Sequence, residues 1–369
     1  MEKIRIFAFG GNEVSPSGEF DEHGKPIEAS IPFQFKQTVK TCRRIADIIK
    51  AFPDDRYLLS HGNGPQVGNV LLRSELASKV LYQIQLDICD ADTEGGMGYM
   101  IAQMQHNVLQ EIGVPKTVTA LITRVEVSLD DPAFQNPTKF IGTPYTKEQV
   151  PEKEKEGWTL KFYKNDSNGN EIWRRVVPSP YPIDIVDFDS VMACVNAGII
   201  PITVGGGGIP VFKLKLDSEN NETQVYKARF DIEFKVNKAV KKDPVRIYSG
   251  VDAVIDKDLA SSLLGKKIIQ YNKEHKKEAE VSLTIFTGED GIKINYQKPN
   301  EKSIRKIKVS ELKQLKKDMP EQFPAGSMGP KVDAVIDFIE GGGHVAYITK
   351  TDLYLQTLKN EAGTTVVPD

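Results

Sequence analysis

The chain has 369 residues, 40% of them hydrophobic and 27% charged, with a formal net charge of −3 at pH 7. This is globular composition with room for one large domain or two smaller ones. The near-neutral balance gives no electrostatic reason to expect nucleic acid or an anionic membrane as partner.

The chain opens on "KIRIFAFGGN", a buried strand running into glycines, where a signal peptide would need a longer apolar stretch. "FKQTVKTCRRIADIIKAF" places apolar residues at helical spacing, and "DRYLLSHGNG" is again a strand ending in glycines. The helical "GYMIAQMQHNVLQEIG" precedes one strand, "KTVTALITRVEV". "DFDSVMACVNAG" reads as a helix leading into the strand and glycine loop "IIPITVGGGG". Then follow the helix "DKDLASSLLGKKI", the strand "EVSLTIFTG", the helix "KVDAVIDFIEGG" and the strand "HVAYITK". Such alternation predicts an α/β fold: an open three-layer α/β/α sandwich around a mainly parallel sheet, with ligands beyond the carboxyl ends of the strands.

Two stretches break the rhythm. Residues 126–180 hold "DDPAFQNPTKFIGTPYTKEQ", an acid and lysine run, and "RRVVPSPYP", too much proline and charge for a central strand. They are expected to form a lid subdomain inserted into a single domain spanning 1–369. Residues 212–249 alternate apolar and polar around "DSENNET", which predicts an inserted β-hairpin.

Several classes drop out. Cys42, Cys89 and Cys194 are odd in number and far apart, and none of the five histidines forms HExxH, so neither a disulfide framework nor a metal site is expected. The sequons at Asn165 and Asn221 are taken as chance. Val191 to Phe212 carries no charge, but Pro201, Pro210 and four consecutive glycines argue against a membrane helix. A cytoplasmic protein is expected.

Four glycine clusters fall at strand or loop ends: Gly10-Gly11-Asn12, Gly62-Asn63-Gly64, Gly205 to Gly208, and Gly326-Ser327-Met328-Gly329 just before Lys331. One cluster is most simply a tight turn. Four in one α/β chain point to backbone N–H groups aimed at an anion. The named phosphate fingerprints fail, because there is no GxxxxGK[ST], GxGxxG, HRD or DFG. Phosphoryl transfer needs positive or N–H groups around the moving phosphorus and a carboxylate to organise them. Lys257 and Asp258 start a helix, Lys331 follows the GSMG loop, and Lys139 lies in the expected lid, which makes these four the candidate catalytic residues.

"FGGN", "SHGNGPQVGN", "DPAFQNPTK", "RRVVPSP", "GGGGIPV", "GVDAVIDKDLA", "INYQKPNEK", "GSMGPKVDAVIDFIE" and "EAGTTVVP" resemble, in order and over residues 9–368, the successive motifs of the carbamate kinases of the amino acid kinase superfamily. The resemblance implies a homodimer that moves a phosphoryl group reversibly between carbamoyl phosphate and ADP, with Mg²⁺ accompanying ADP or ATP. It places Gly10, Gly11 and Asn12 in one phosphate loop and Gly62, Asn63 and Gly64 in a second, where carbamate and the transferred group sit. Lys139 becomes the lysine of a closing subdomain. Lys257 and Lys331 neutralise the moving group, and Asp258 orients them. Gly206, Gly207, Thr287, Tyr296, Met328 and Lys331 are expected on the nucleotide side.

The chain also departs from the pattern. Glu13 stands where the family reads "GGNAL", and "CDADTEGGMGYM" replaces "CGAMSQGxIGYM", placing Asp90, Asp92 and Glu94 near the expected anion site. "YKNDSNGNEIWRR" and the 212–249 segment are also longer than the family's connections. A second reading stays open on these grounds: a divergent paralogue, either a nucleotide-binding regulatory module or a kinase for another small acid.

Overall fold

The computed structural model describes residues 2–10, 13, 30–166, 169–239, 245–324 and 328–369. Its main sheet has eight strands in the spatial order Lys306–Lys308, Thr364–Val367, Val345–Thr349, Ala279–Phe286, Glu2–Phe9, Arg56–His61, Ile200–Ile202 and Val118–Ala120. Neighbours run parallel except Val345–Thr349 against Thr364–Val367. The sequence expectation of a mainly parallel sheet therefore holds.

Both faces are covered because the strands alternate large apolar residues between them. Ile4, Ile6 and Leu58 face a core shared with Leu264, Ile268, Val335 and Phe338 of the helices Lys257–Glu274 and Met328–Glu340. Phe7, Phe9 and Leu59 point the other way, into Ile45 and Ile49 of helix Ile31–Ala51 and Met97 and Ile101 of helix Leu86–Glu111. Among the described residues no helix is long and apolar enough to cross a membrane.

Two readings of the sequence are corrected. "KTVTALITRVEV" forms two short strands, Val118–Ala120 in the main sheet and Arg124–Glu126 in a separate four-stranded sheet. The break falls at Thr123, whose N–H goes to the Glu94 carboxylate at 3.1 Å and so leaves the ladder. The helix expected from residue 98 begins at Leu86. Its glycines look like a stop, yet Gly98 marks close approach to a strand: a Cβ there would lie 2.9 Å from the Ala120 side chain.

Between residues 126 and 180, Lys139–Thr146, Leu160–Asn165 and Glu171–Val177 make a three-stranded antiparallel sheet of their own. Between 212 and 249, Ser218–Glu219, Thr223–Lys227 and Glu233–Asn237 make another, one strand more than a hairpin. Arg229 ties that second segment to the core by pairing with the buried Asp87 of helix Leu86–Glu111.

Candidate active site

Four neighbouring parallel strands end on the same side, and their glycine loops line a cavity of about 730 Å³. Gly10 ends the first strand and Gly62 the second, joined by Gly62 N–H donating to the Phe9 carbonyl at 3.0 Å. Gly64 follows with φ 53°, a left-handed turn into helix Gln66–Ala77. Glycines flank Asn63 in the 62–64 loop, and all three residues line the cavity.

The helix Lys257–Glu274 brings the charged centre. Asp256 caps it, its Oδ1 accepting from the Asp258 N–H at 2.9 Å, while its Oδ2 accepts from Lys139 Nζ at 3.0 Å. Asp258 is only 2% exposed and is held on both sides. Lys257 Nζ donates to its Oδ1, and Lys331 Nζ to its Oδ2 at 2.9 Å. Burial alone would push the Asp258 carboxyl up, but Lys257 and then Lys331 outweigh it and hold it well below the usual range. Burial pulls Lys257 down, aided by Lys331 and opposed by Asp258. For Lys331, burial also opposes the charge, and here Asp258 wins and raises the pKa. Three ammonium groups thus face two carboxylates, leaving one positive charge uncompensated at a helix N-terminus. Such a place attracts a phosphoryl group.

A second cavity of about 540 Å³ adjoins the first and shares Thr287 and Lys331 with it. Tyr296 and Met328 line its wall, beside Lys293 and Gly291. The structure therefore brings four of the expected nucleotide-side residues together here. Gly206 and Gly207 lie elsewhere. Gly206 lines the larger cavity, and Gly207 packs under the Ile255 carbonyl. Gly206 has φ 68°, and a Cβ on it would fall 1.9 Å from Asn63 Oδ1, so no other residue fits. Gly11 and Asn12, with Gly326 and Ser327 of the GSMG loop, lie outside the described residues.

Of the acidic departures, only Glu13 lines the larger cavity among the described residues. Asp90, Asp92 and Glu94 lie on a helix, and only Asp92 is exposed. Asp90 accepts from Asn63 Nδ2 at 2.9 Å. Glu94 accepts from the N–H groups of Gly205 at 3.0 Å and Thr123. Burial pushes Glu94 up to about 8 against those two donors, so it carries little charge at neutral pH. Glu13 accepts from Thr351 Oγ1 at 3.2 Å, and burial raises its pKa too.

Sequence reasoning passed over Lys40 and Arg44, which line the larger cavity together with Gln37 and Thr41. Their 3-4-7 spacing on one helix face was the available signal. Asp256 was passed over too, although an Asp just before "KDLA" carries a helix-cap signature.

His61 sits beneath the loop, fully enclosed, with Nε2 unpartnered among the described residues. Burial lowers its pKa to about 4, with the Gly62 carbonyl opposing and Lys257 adding to the effect. A folded value below the unfolded 6.5 means that its stabilising contribution is complete above pH 6.5 and is lost as pH falls towards 4. The full loss amounts to about 3 kcal/mol. Urea unfolding at pH 7 and pH 4.5 is expected to show His61→Gln losing clearly less stability than the unaltered chain. Equal losses would refute the assignment.

Lysines, a bracketed carboxylate and bare loops around a cavity at strand ends, with a second cavity adjoining, define a phosphotransferase. The comparisons agree. No protein-family profile matches the chain. It is 36% identical to the carbamate kinase of Thermococcus kodakarensis, over 100% of this chain and 99% of that one. It is 35% identical to that of Lentilactobacillus hilgardii, over 100% and 98%. The solved carbamate kinase of Giardia lamblia bound to AMP-PNP superposes with a TM-score of 0.76 at 31% identity, covering 100% of this chain and 99% of its own. The same enzyme bound to citric acid gives 0.78, also at 31% identity and over the same shares. The chain belongs to the carbamate kinase family.

Proposed function

We propose that this protein transfers a phosphoryl group reversibly between carbamoyl phosphate and ADP, giving carbamate and ATP. The observation that carries the reading is Asp258 bridging Lys257 and Lys331 at the junction of two cavities, one lined by glycine loops and one by Thr287, Tyr296 and Met328. Carbamoyl phosphate occupies the first and the nucleotide the second, and their phosphates meet at Lys331.

A terminal oxygen of the ADP β-phosphate attacks the phosphorus, the bond to the carbamoyl oxygen breaks, and carbamate leaves as an anion. No proton moves. Catalysis therefore consists of alignment and charge neutralisation. Lys257 and Lys331 hold the equatorial oxygens, and Asp258 fixes both ammonium groups in place. The N–H groups of Gly10 and Gly64 hold the carbamoyl and phosphate oxygens, while that of Gly62 is spent on the Phe9 carbonyl. Lys139 reaches in from the 139–177 sheet and is exchanged from Asp256 to the substrate. Mg²⁺ would accompany ADP or ATP, and there it would help neutralise the phosphates.

We place the protein in the cytoplasm as a homodimer. Leu76, at the end of helix Gln66–Ala77, and Val80, Leu81 and Tyr82 just beyond it are all exposed, Val80 and Tyr82 each 83%. Exposed apolar side chains this close in the chain favour a partner surface. Light scattering on the purified chain is expected to give twice the chain mass, falling to the monomer in a Val80→Asp, Leu81→Asp double variant. A monomeric unaltered chain would remove the dimer from the proposal. The reading as a whole is tested by ATP formation from MgADP and carbamoyl phosphate, and absence of turnover would overturn it.

A further inference from the structure

Asp90 lies in the second turn of helix Leu86–Glu111, buried, with its side chain aimed at the 62–64 loop. Its Oδ1 takes the Asn63 Nδ2–H at 2.9 Å. Asn63 itself lines the larger cavity, so one of its sides meets Asp90 and another meets the cavity. The Gly206 carbonyl stands 3.5 Å from the same Nδ2, and a Cβ on Gly206 would fall 1.9 Å from Asn63 Oδ1, so only glycine leaves room for that amide. One turn further along the helix, Glu94 holds the N–H of Gly205 in that opposite loop. A single helix face thus grips both glycine loops from behind, through carboxyls four residues apart. The titratable groups that act on Asp90 are Glu94 and Asp87 of its own helix and Lys139 from the three-stranded sheet.

We propose that Asp90 is a positioning residue for the carbamoyl end of the substrate: it acts through Asn63, whose amide it locks so that the 62–64 loop keeps its N–H groups on the anion. This rests on the kinase reading above. The family pattern has glycine at this position, which offers no side chain to Asn63, so the lock is a feature of this chain. Without an acceptor from Asp90, the buried amide has a donor to satisfy and can turn towards the cavity or towards the Gly206 carbonyl. The nucleotide cavity touches neither residue, so ADP should not sense the change.

The test compares Asp90→Ala and Asp90→Asn in steady-state ATP formation, with thermal unfolding recorded for each. Leaving a buried donor without its acceptor corresponds to roughly a five- to hundredfold effect. Asp90→Ala is expected to raise the KM for carbamoyl phosphate about tenfold or more while leaving the KM for ADP within about twofold. Asp90→Asn, whose Oδ1 still accepts from Asn63, should recover most of that loss. In an Asn63→Ala background, Asp90→Ala should add nothing further. If Asp90→Ala fails to fold, Asp90→Leu, close in volume and without an acceptor, takes its place. Both KM values moving together, neither moving, or no recovery in Asp90→Asn would overturn the positioning role while leaving the kinase intact. No turnover by the unaltered protein would overturn both.

Discussion

Replacing Lys257 by alanine is expected to lower kcat for ATP formation from ADP and carbamoyl phosphate by a factor of about 100 to 1,000. The ammonium group is buried against the larger cavity, beside the Asp258 carboxylate, and charge spreads over three oxygens in the transition state. A donor fixed in such a place acts chiefly on the transition state, so kcat should fall far more than KM rises. The fold should survive, because Asp258 keeps Lys331 as a partner at 2.9 Å and is not left as an unpaired buried charge. Lys257→Arg should recover little. The guanidinium is a planar fork and cannot occupy the point position that the Asp258 carboxylate and the surrounding loops define. A kcat within a fewfold of the unaltered enzyme in Lys257→Ala would move the catalytic role to Lys331 or Lys139.

Much of the scaffold could be read from the sequence, because local pattern and global packing agree there. Ile4 and Ile6 alternate with Phe7 and Phe9 as a strand buried on both faces requires, and the helices covering those faces carry their apolar residues at the matching period. The site was less legible. Lys257 and Asp258 stand side by side in the chain, but Lys331 reaches the same carboxylate from 73 residues away; its place after the GSMG loop marked it as a candidate, and only the family resemblance paired it with Asp258. The acids at 90 and 94 were read as charges near an anion because they depart from the family's pattern beside the expected substrate site. A helical carboxylate turns inward only if donors await it. Those donors are the N–H groups of Thr123 and Gly205 and the Asn63 amide, all supplied by other parts of the fold. Glu13 lines the larger cavity, as its place beside the first glycine loop implied, while its partner Thr351, 338 residues further on, was not legible.

Asp258 should be the more damaging position to change, because it stabilises the folded chain and organises the chemistry with the same two contacts. Asp258→Ala leaves Lys257 and Lys331 buried near one another, with no carboxylate between them. Breaking a buried pair on one side costs about 3–5 kcal/mol, the penalty of a charge left without a partner. Here two charges are left. Urea unfolding at pH 7 should show a loss of at least that size, and activity should fall by about a thousandfold or more as both ammonium groups lose their alignment. The pH dependence adds a signature that packing loss alone would not give. Burial and Lys331 already pull the Lys257 pKa down, and Asp258 opposes them. With that opposition gone, Lys257 should lose its proton at lower pH, and the alkaline limb of the residual activity should move to lower pH than in the unaltered enzyme. Asp258→Asn, similar in size and uncharged, should show the same shift with a smaller stability loss. An unmoved alkaline limb in Asp258→Asn would mean that Asp258 orients the lysines without setting their charge.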